Sequence, residues 1–351
     1  MTPLECLIRE MIAAEGPMRL DRYVGLCLGH PLHGYYMTRD PLGERGDFIT
    51  APEVSQVFGE LIGVWCIAVW TAMGQPAAFN LVELGPGRGT LMVDILRAAR
   101  RASAGFFHSA SVRMVETSPV LRARQIEQLA GQATWYERLE DISEGPLILV
   151  ANEFFDAIPI RQFEMRQCRW FERVMGVTDG QLSIGLAEAG LGLQGRDGDI
   201  IESAPARLAI AHVIGEHLAK HAGAALIIDY GHRASAPGDT LQAMRQHRHV
   251  PVSEAPGDCD LTSHVDFEAL GKALQAGGAT LAPAMTQRAF LLAMGLEQRI
   301  AILAARSDEA GRRVLERQMT RLAGEDQMGN LFKVLAATSP GLVTPYPFGS
   351  T

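Results

Sequence analysis

The apolar positions of this chain change period as it runs. In the first 73 residues they recur at helical spacing. Pro3 to Glu15 and Leu20 to Leu28 read as helices, and Val54, Val57, Phe58, Leu61, Ile62, Trp65 and Val69 form the stripe of a further helix, from about Glu53 to Met73. A stretch dense in Gly, Pro and Asp, Gly29 to Pro52, separates them as turns. From Asn80 onward short apolar runs alternate with amphipathic segments, the pattern of a mainly parallel sheet in an α/β fold. The predicted strands are Leu81–Leu84, Val112–Glu116, Thr134–Tyr136, Leu147–Ala151 and Ala225–Tyr230, with helices at Leu91 to Ala99 and Ala206 to His221. Period-two alternation from Ile160 to about Leu186, broken at Asp179-Gly180, predicts an inserted β-meander. Gly231 to Asp260 reads as a long loop, and Leu331 to Ala336 as a strand in an edge hairpin closing the sheet. The pattern divides the chain into an N-terminal helical lobe with a lid-like loop, 1–75, and an α/β domain, 76–351, with the β-insertion at about 160–190.

With 351 residues the chain can bury a large core. A formal charge of −8 argues against a nucleic-acid partner, which would favour a basic face, and suits a basic protein substrate. The five cysteines are far apart and form no C-x-x-C pair, which predicts reduced thiols, with neither a zinc site nor a disulfide framework. Leu61 to Met73, the most apolar stretch, is too short to span a bilayer and reads as a buried helix, so no membrane insertion is expected. Met1 to Glu15 mixes acids with apolar residues, unlike a signal or transit peptide. Oligomeric state is not legible.

The candidate chemistry begins at Val82-Glu83-Leu84-Gly85-Pro86-Gly87-Arg88-Gly89-Thr90. It lies between a predicted buried strand and a predicted helix. Alternate glycines let the backbone turn sharply and let a ligand lie against bare main chain. The spacing is not the G-x-G-x-x-G of dinucleotide sites. It resembles motif I of class I S-adenosylmethionine (SAM) methyltransferases, where the glycines pass beside the methionine part of the cofactor and the acid helps hold that end. About one βαβ unit later, roughly 30 residues, Glu116 ends the next strand, where a carboxylate can accept both ribose hydroxyls. The candidate cofactor residues are Glu83, Gly85, Pro86, Gly87, Gly89, Thr90 and Glu116. Asp47 and Thr50, in the polar loop Gly46 to Glu53, could reach the cofactor or order a lid; the structural alternative is a helix capped by Thr50 with Pro52 in its first turn.

Further motifs widen the resemblance. Gly46-Asp47-Phe48-Ile49-Thr50-Ala51-Pro52-Glu53 with Phe58-Gly59-Glu60, the glycine loop, Asn152-Glu153-Phe154-Phe155-Asp156-Ala157-Ile158-Pro159, Asp229-Tyr230-Gly231, Asp260 to Phe267 and Met328 to Lys333 are similar, in this order, to the MidA-type methyltransferases. The resemblance runs from about Leu4 to Leu335. It implies a class I SAM-methyltransferase (Rossmann-like) sheet and SAM as cofactor. The family includes a mitochondrial assembly factor for respiratory complex I implicated in symmetric ω-N dimethylation of an arginine in a complex I subunit. The resemblance therefore implies a protein substrate, with a complex I subunit as the candidate, and a bacterial cytoplasmic or processed mitochondrial-matrix setting.

A guanidinium is a poor nucleophile, with delocalised lone pairs and a pKa above 12. Its methylation calls for acceptors that bind the unreacting nitrogens, hold positive charge away from the attacking one and take its proton. Asn152, Glu153 and Asp156, after the fourth strand, are the candidate catalytic residues, at the carboxyl end of the sheet. Phe154 and Phe155 could flank a planar group, or both could be core; Asn152 and Asp156 could instead cap a turn. Tyr230 reads as packing, His247-Arg248-His249 as a solvated loop rather than a metal site, and Ser263 as a helix cap beside His264 and Asp266. Two other readings stay open: methylation of a small molecule or another residue type, and a SAM-binding assembly factor without turnover.

Overall fold

The computed structural model describes residues 1–40 and 49–348. Asp47 and the Gly46 to Phe48 part of the predicted lid lie outside the described residues. The chain forms two compact units, each discontinuous in sequence: Met1–Phe48, Asp156–Leu208 and Ala234–His264 make the first, and Ile49–Phe155, Ala209–Arg233 and Val265–Thr351 the second. The expected boundary at 75 is not a boundary of these units, because the long apolar helix before it packs into the second unit.

That helix is interrupted. A short helix α1 (Ala51–Val54) and a long α2 (Gln56–Ala72) flank Ser55, which is extended at φ −160° and ψ 134°. The single helix expected from Glu53 is corrected accordingly: Val54 and Val57 preserve the apolar spacing across the break, so periodicity cannot see it. The Ser55 hydroxyl accepts from Val57 N–H at 3.4 Å, a weak cap for α2.

The second unit is built on β1 (Phe79–Leu84), β2 (Ala110–Val115), β3 (Ala133–Tyr136), β4 (Leu147–Asn152), β5 (Gly223–His232) and β6 (Phe332–Thr338). Their order is β3-β2-β1-β4-β5-β6, parallel except for β6, which runs antiparallel to β5. The two-residue strands Thr280–Leu281 and Met285–Thr286 pair with the outer side of β6, so β6 itself is not the edge. Order reverses at β1 and β4, the place where open α/β sheets leave a crevice beyond the carboxyl ends of their strands. Leu84 lies opposite both Val115 and Ala151, so β1, β2 and β4 end nearly flush.

Alternate strand residues feed two apolar layers. Leu81, Met114, Ile148, Val150, Leu226 and Ile228 face α2 and α3 (Thr90–Ala102). Val82, Leu84, Leu149, Ala151, Ala225 and Ile227 face Ile214 and Leu218 of the helix Pro205–Lys220 and Leu270 and Leu274 of the helix Phe267–Ala276. Helices α2 and α3 approach closely because Gly59 and Gly63 lack side chains: a Cβ on Gly59 would stand 2.5 Å from Asp94 Cβ, and one on Gly63 3.2 Å from Ala98 Cβ.

The first unit holds the helices Pro3–Glu15 and Leu20–Gly29 and a five-stranded sheet that contains the predicted meander, Arg161–Arg166, Arg169–Thr178 and Gln181–Glu188. Met18–Arg19 and Ile200–Ser203 also join this sheet. Part of the predicted long loop is a second, three-stranded sheet of Gln242–Arg245, Arg248–Val250 and Asp260–Thr262. His247 sits in its hairpin turn and His249 pairs with Met244. Arg207 is buried and draws three segments together: its guanidinium donates to the backbone oxygens of Asp156 at 2.9 Å, Ile158 at 3.2 Å and His264 at 2.8 Å, and to Ser263 Oγ. Ser263 is thus not the helix cap expected of it. Asp266 caps the following helix instead, accepting from Ala269 N–H at 3.0 Å.

Candidate functional site

The glycine loop leaves β1 with Gly85, Gly87 and Gly89 at φ +58°, +54° and +84°, and enters α3 at Thr90. These are left-handed conformations that cost an ordinary residue free energy. Gly85 N–H donates to Val115 O at 3.1 Å, and Gly89 N–H closes a turn on Pro86 O at 2.7 Å. A Cβ on Gly85 would lie 2.6 Å from Phe154 Cδ2, so the loop packs directly beneath that ring.

Two buried carboxylates stand at the ends of the neighbouring strands. Glu83 is 3% exposed, and its Oε2 has no hydrogen-bond partner among the described residues. Burial pushes its carboxyl well above the usual range; a bond from Met92 N–H opposes this, and the nearby Glu116 charge adds to it. Glu116 is 9% exposed. Its Oε1 accepts from Ser118 N–H at 2.7 Å and its Oε2 from the Gln125 amide at 3.1 Å. Burial raises its carboxyl too, against the lowering effect of the Ser118, Gln125 and Thr117 donors. Buried acceptors with unused capacity call for a ligand that donates. SAM carries an ammonium and two ribose hydroxyls, all donors, so the residues present fit the cofactor that the glycine spacing implies.

At the end of β4 the chain turns through Asn152, Glu153, Phe154 and Phe155. Glu153 has φ +51°, unusual for a residue with a side chain, and its N–H donates to Ile228 O at 3.0 Å. Asp229, fully buried at the end of β5, accepts from Phe155 N–H at 3.0 Å with one oxygen and from Tyr230 N–H at 2.9 Å with the other. It holds the turn in place. Phe155 is core, as is Tyr230, edge-on to Phe332. Phe154 is half-buried and meets Phe155 edge-on at 5.1 Å.

Glu153 reaches across to α1. Its Oε1 accepts from Ala51 N–H at 2.9 Å and from the Asn152 amide at 3.1 Å. Thr50 occupies the N-cap position of α1 but makes no side-chain cap bond, so the carboxylate does the capping that the sequence assigns to Thr50. The other end of α1 is tied to the glycine loop: Glu53 accepts from the Thr90 hydroxyl and lies 3.7 Å from the Arg88 guanidinium. Asn152 is 8% exposed and its Oδ1 has no hydrogen-bond partner among the described residues. Asp156 is buried in the first unit, where its backbone oxygen accepts from Ser263 N–H at 3.1 Å and from Arg207. The structure therefore gathers Glu83, Gly85, Gly87, Gly89, Thr90, Glu116, Asn152, Glu153 and Thr50 in the second unit and gives Asp156 to the first. Sequence reasoning missed Glu53, Gln125 and Arg207. Gln125 alone left a signal, a polar residue at an apolar position of its helix. Among the described residues no group of three or more His, Cys, Asp or Glu is placed to hold a metal ion, and no helix is long and apolar enough to cross a membrane.

Known proteins resemble this chain in sequence and fold. Residues 61–284 match the Methyltransf_28 family, described as "Putative S-adenosyl-L-methionine-dependent methyltransferase". The chain is 36% identical to "Protein arginine methyltransferase NDUFAF7, mitochondrial" of Danio rerio, over 92% of this chain and 83% of that one. It is 35% identical to the protein of the same name from Homo sapiens, over 96% and 83%. The crystal structure of a COG1565 superfamily member from Burkholderia thailandensis bound to S-adenosyl-homocysteine superposes with a TM-score of 0.85 at 26% identity, covering 99% of this chain and 95% of that one. With its Rossmann-like sheet, its glycine loop and these relatives, the chain belongs to the Methyltransf_28 family of SAM-dependent methyltransferases.

Proposed function

We propose that this methyltransferase modifies the ω-nitrogens of an arginine in a protein, with a respiratory complex I subunit as the candidate substrate and symmetric dimethylarginine as the product. The observation that carries the reading is the acceptor set at the end of β4, where the partnerless Asn152 Oδ1 stands beside the Glu153 carboxylate. A guanidinium offers only donors and complements such a set. The curated relatives named protein arginine methyltransferase support it, and as those relatives are named mitochondrial, we place the chain in a mitochondrial matrix or its bacterial equivalent, the cytoplasm.

Bound SAM supplies an electrophilic methyl on a sulfonium. One guanidinium nitrogen would take the methyl, S-adenosyl-homocysteine would leave, and the proton released from that nitrogen would pass to the Glu153 carboxylate, directly or through water. The protein's task is to align the nitrogen and hold charge on the other two. In this reading Asn152 Oδ1 and the Glu153 carboxylate orient the guanidinium, and Glu83, Glu116, the glycine loop and Thr90 hold the cofactor. Thr50 belongs to the segment that closes over it.

Incubation with methyl-labelled SAM and candidate complex I subunits, followed by mass spectrometry, tests the proposal. Label on an arginine nitrogen is expected, and Glu153→Gln should retain S-adenosyl-homocysteine binding while slowing turnover at least about tenfold, or about 1.4 kcal/mol. Label on a lysine, a carboxylate or a small molecule would transfer the assignment to that acceptor, and binding without any transfer would leave an assembly factor.

A further inference from the structure

Helix α4 (Pro119–Leu129) buries Leu121, Gln125 and Leu129, three residues at i, i+4 and i+8. Two are the apolar side chains such a stripe requires. The middle one is an amide that no solvent reaches. Burying an amide among leucines is unfavourable unless each polar atom is bonded. Gln125 meets that condition fully: Nε2 donates to Gly87 O at 2.6 Å and to Glu116 Oε2 at 3.1 Å, and Oε1 accepts from the Trp135 indole at 2.8 Å. An indole N–H can only donate. Trp135, on β3, therefore fixes which end of the amide is oxygen, and both amide protons must point at the glycine loop and the carboxylate.

One side chain thus locks the loop after β1, the residue after β2 and the strand β3 to one another. We propose that Gln125, oriented by Trp135, is the positioning residue of the cofactor site: it fixes the Glu116 carboxylate and the Gly87 backbone where the ribose is received, and so sets affinity for the cofactor without touching it. The inference rests on Glu116 as the ribose acceptor. A neutral donor suits the task better than a cation, since it aims the carboxylate while leaving its charge for the hydroxyls. Ser118 N–H completes the aim from the other oxygen.

The test measures S-adenosyl-homocysteine and its 2′-deoxy analogue by calorimetry on wild type, Gln125→Leu, Trp135→Phe, Glu116→Gln and the Gln125→Leu/Glu116→Gln double variant. Gln125→Leu should weaken S-adenosyl-homocysteine about tenfold and Trp135→Phe about threefold. Both should shrink the preference for the ribose over the deoxyribose, a readout that a general packing defect would not move. The double variant should lose little beyond Glu116→Gln, because the amide acts through the carboxylate. If Gln125→Leu does not fold, Trp135→Phe, at a half-exposed position, carries the same comparison. Wild-type affinity and ribose preference in Trp135→Phe and in folded Gln125→Leu, with Glu116→Gln impaired, would overturn the proposal. Wild-type affinity in Glu116→Gln would overturn the ribose reading beneath it.

Discussion

Gly85→Ala is the sharpest test of how the glycine loop is packed. The substitution adds one methyl group at φ +58°, which costs about 1–2 kcal/mol through the left-handed backbone alone. The methyl also meets Phe154 Cδ2 at 2.6 Å, where ordinary contact begins at 3.4 Å, so the ring must retreat by most of an ångström. Phe154 has little room: it is edge-on to the fully buried Phe155, whose N–H is held by Asp229. Overpacking of this kind costs about 1–3 kcal/mol. The sum, about 2–5 kcal/mol, should lower Tm by roughly 4–10 °C. Gly85 itself belongs to the loop assigned to the cofactor, so S-adenosyl-homocysteine binding should weaken along with stability. Scanning calorimetry and titration calorimetry read the two effects, and Phe154→Ala separates their causes. Placed in the Gly85→Ala background, it should recover the steric part and leave the backbone part. Wild-type Tm and affinity in Gly85→Ala, or additive losses in the double variant, would refute the packing argument.

Other consequences follow from the same unit. Asp94 is buried beside Gly59 with its carboxyl pushed up to about 6, mainly by desolvation, so its ionisation works against the fold. Stability from the neutral form is present below the ordinary value of 3.8 and lost as pH rises through about 6; Asp94→Asn should therefore gain on wild type between pH 4 and 7, by about 1–2 kcal/mol in urea titrations after the lost Arg97 pair is counted, and a flat difference would refute this. Gly59→Ala should cost about 1–3 kcal/mol by forcing α2 and α3 apart, and unchanged unfolding would show that the helices can slide. Hydrogen exchange at Ala51 and its neighbours through Val54 should slow when S-adenosyl-homocysteine binds, since both ends of α1 are tied to the candidate site; identical exchange with and without ligand would make α1 a fixed cap only.

What was legible in the sequence was legible where chemistry is local. Glycines that must adopt positive φ, an acid on a buried strand and another at a strand end are set by neighbours within a few residues: Gly85, Gly87 and Gly89 have positive φ, and Glu83 and Glu116 are buried. The parallel strands and the meander were legible for the same reason: pleat and turn are short-range. The three-stranded sheet within 242–262 was not, because its hairpin turn is Gln246-His247 with positive φ at both, without glycine or asparagine to announce it. The α1–α2 break was hidden by uninterrupted apolar spacing. Arg207 took a role that depends on segments 49 to 57 residues away.

The run from Asn152 to Asp156 shows where the sequence argument changes its character. As a motif it reads as one group of acids at a strand end. In the structure Glu153 adopts a left-handed backbone and gives an oxygen to Ala51 N–H, work that a mere strand end would not need. A carboxylate that caps α1 and also orients a guanidinium would couple substrate binding to the start of α1. Replacing its charge should then disturb both at once, whereas a carboxylate serving only as a cap would be replaced by glutamine with loss of stability and no loss of turnover at saturating substrate. The contrast between those two outcomes in Glu153→Gln, read as Tm against kcat, decides whether the strained turn exists for the fold or for the reaction.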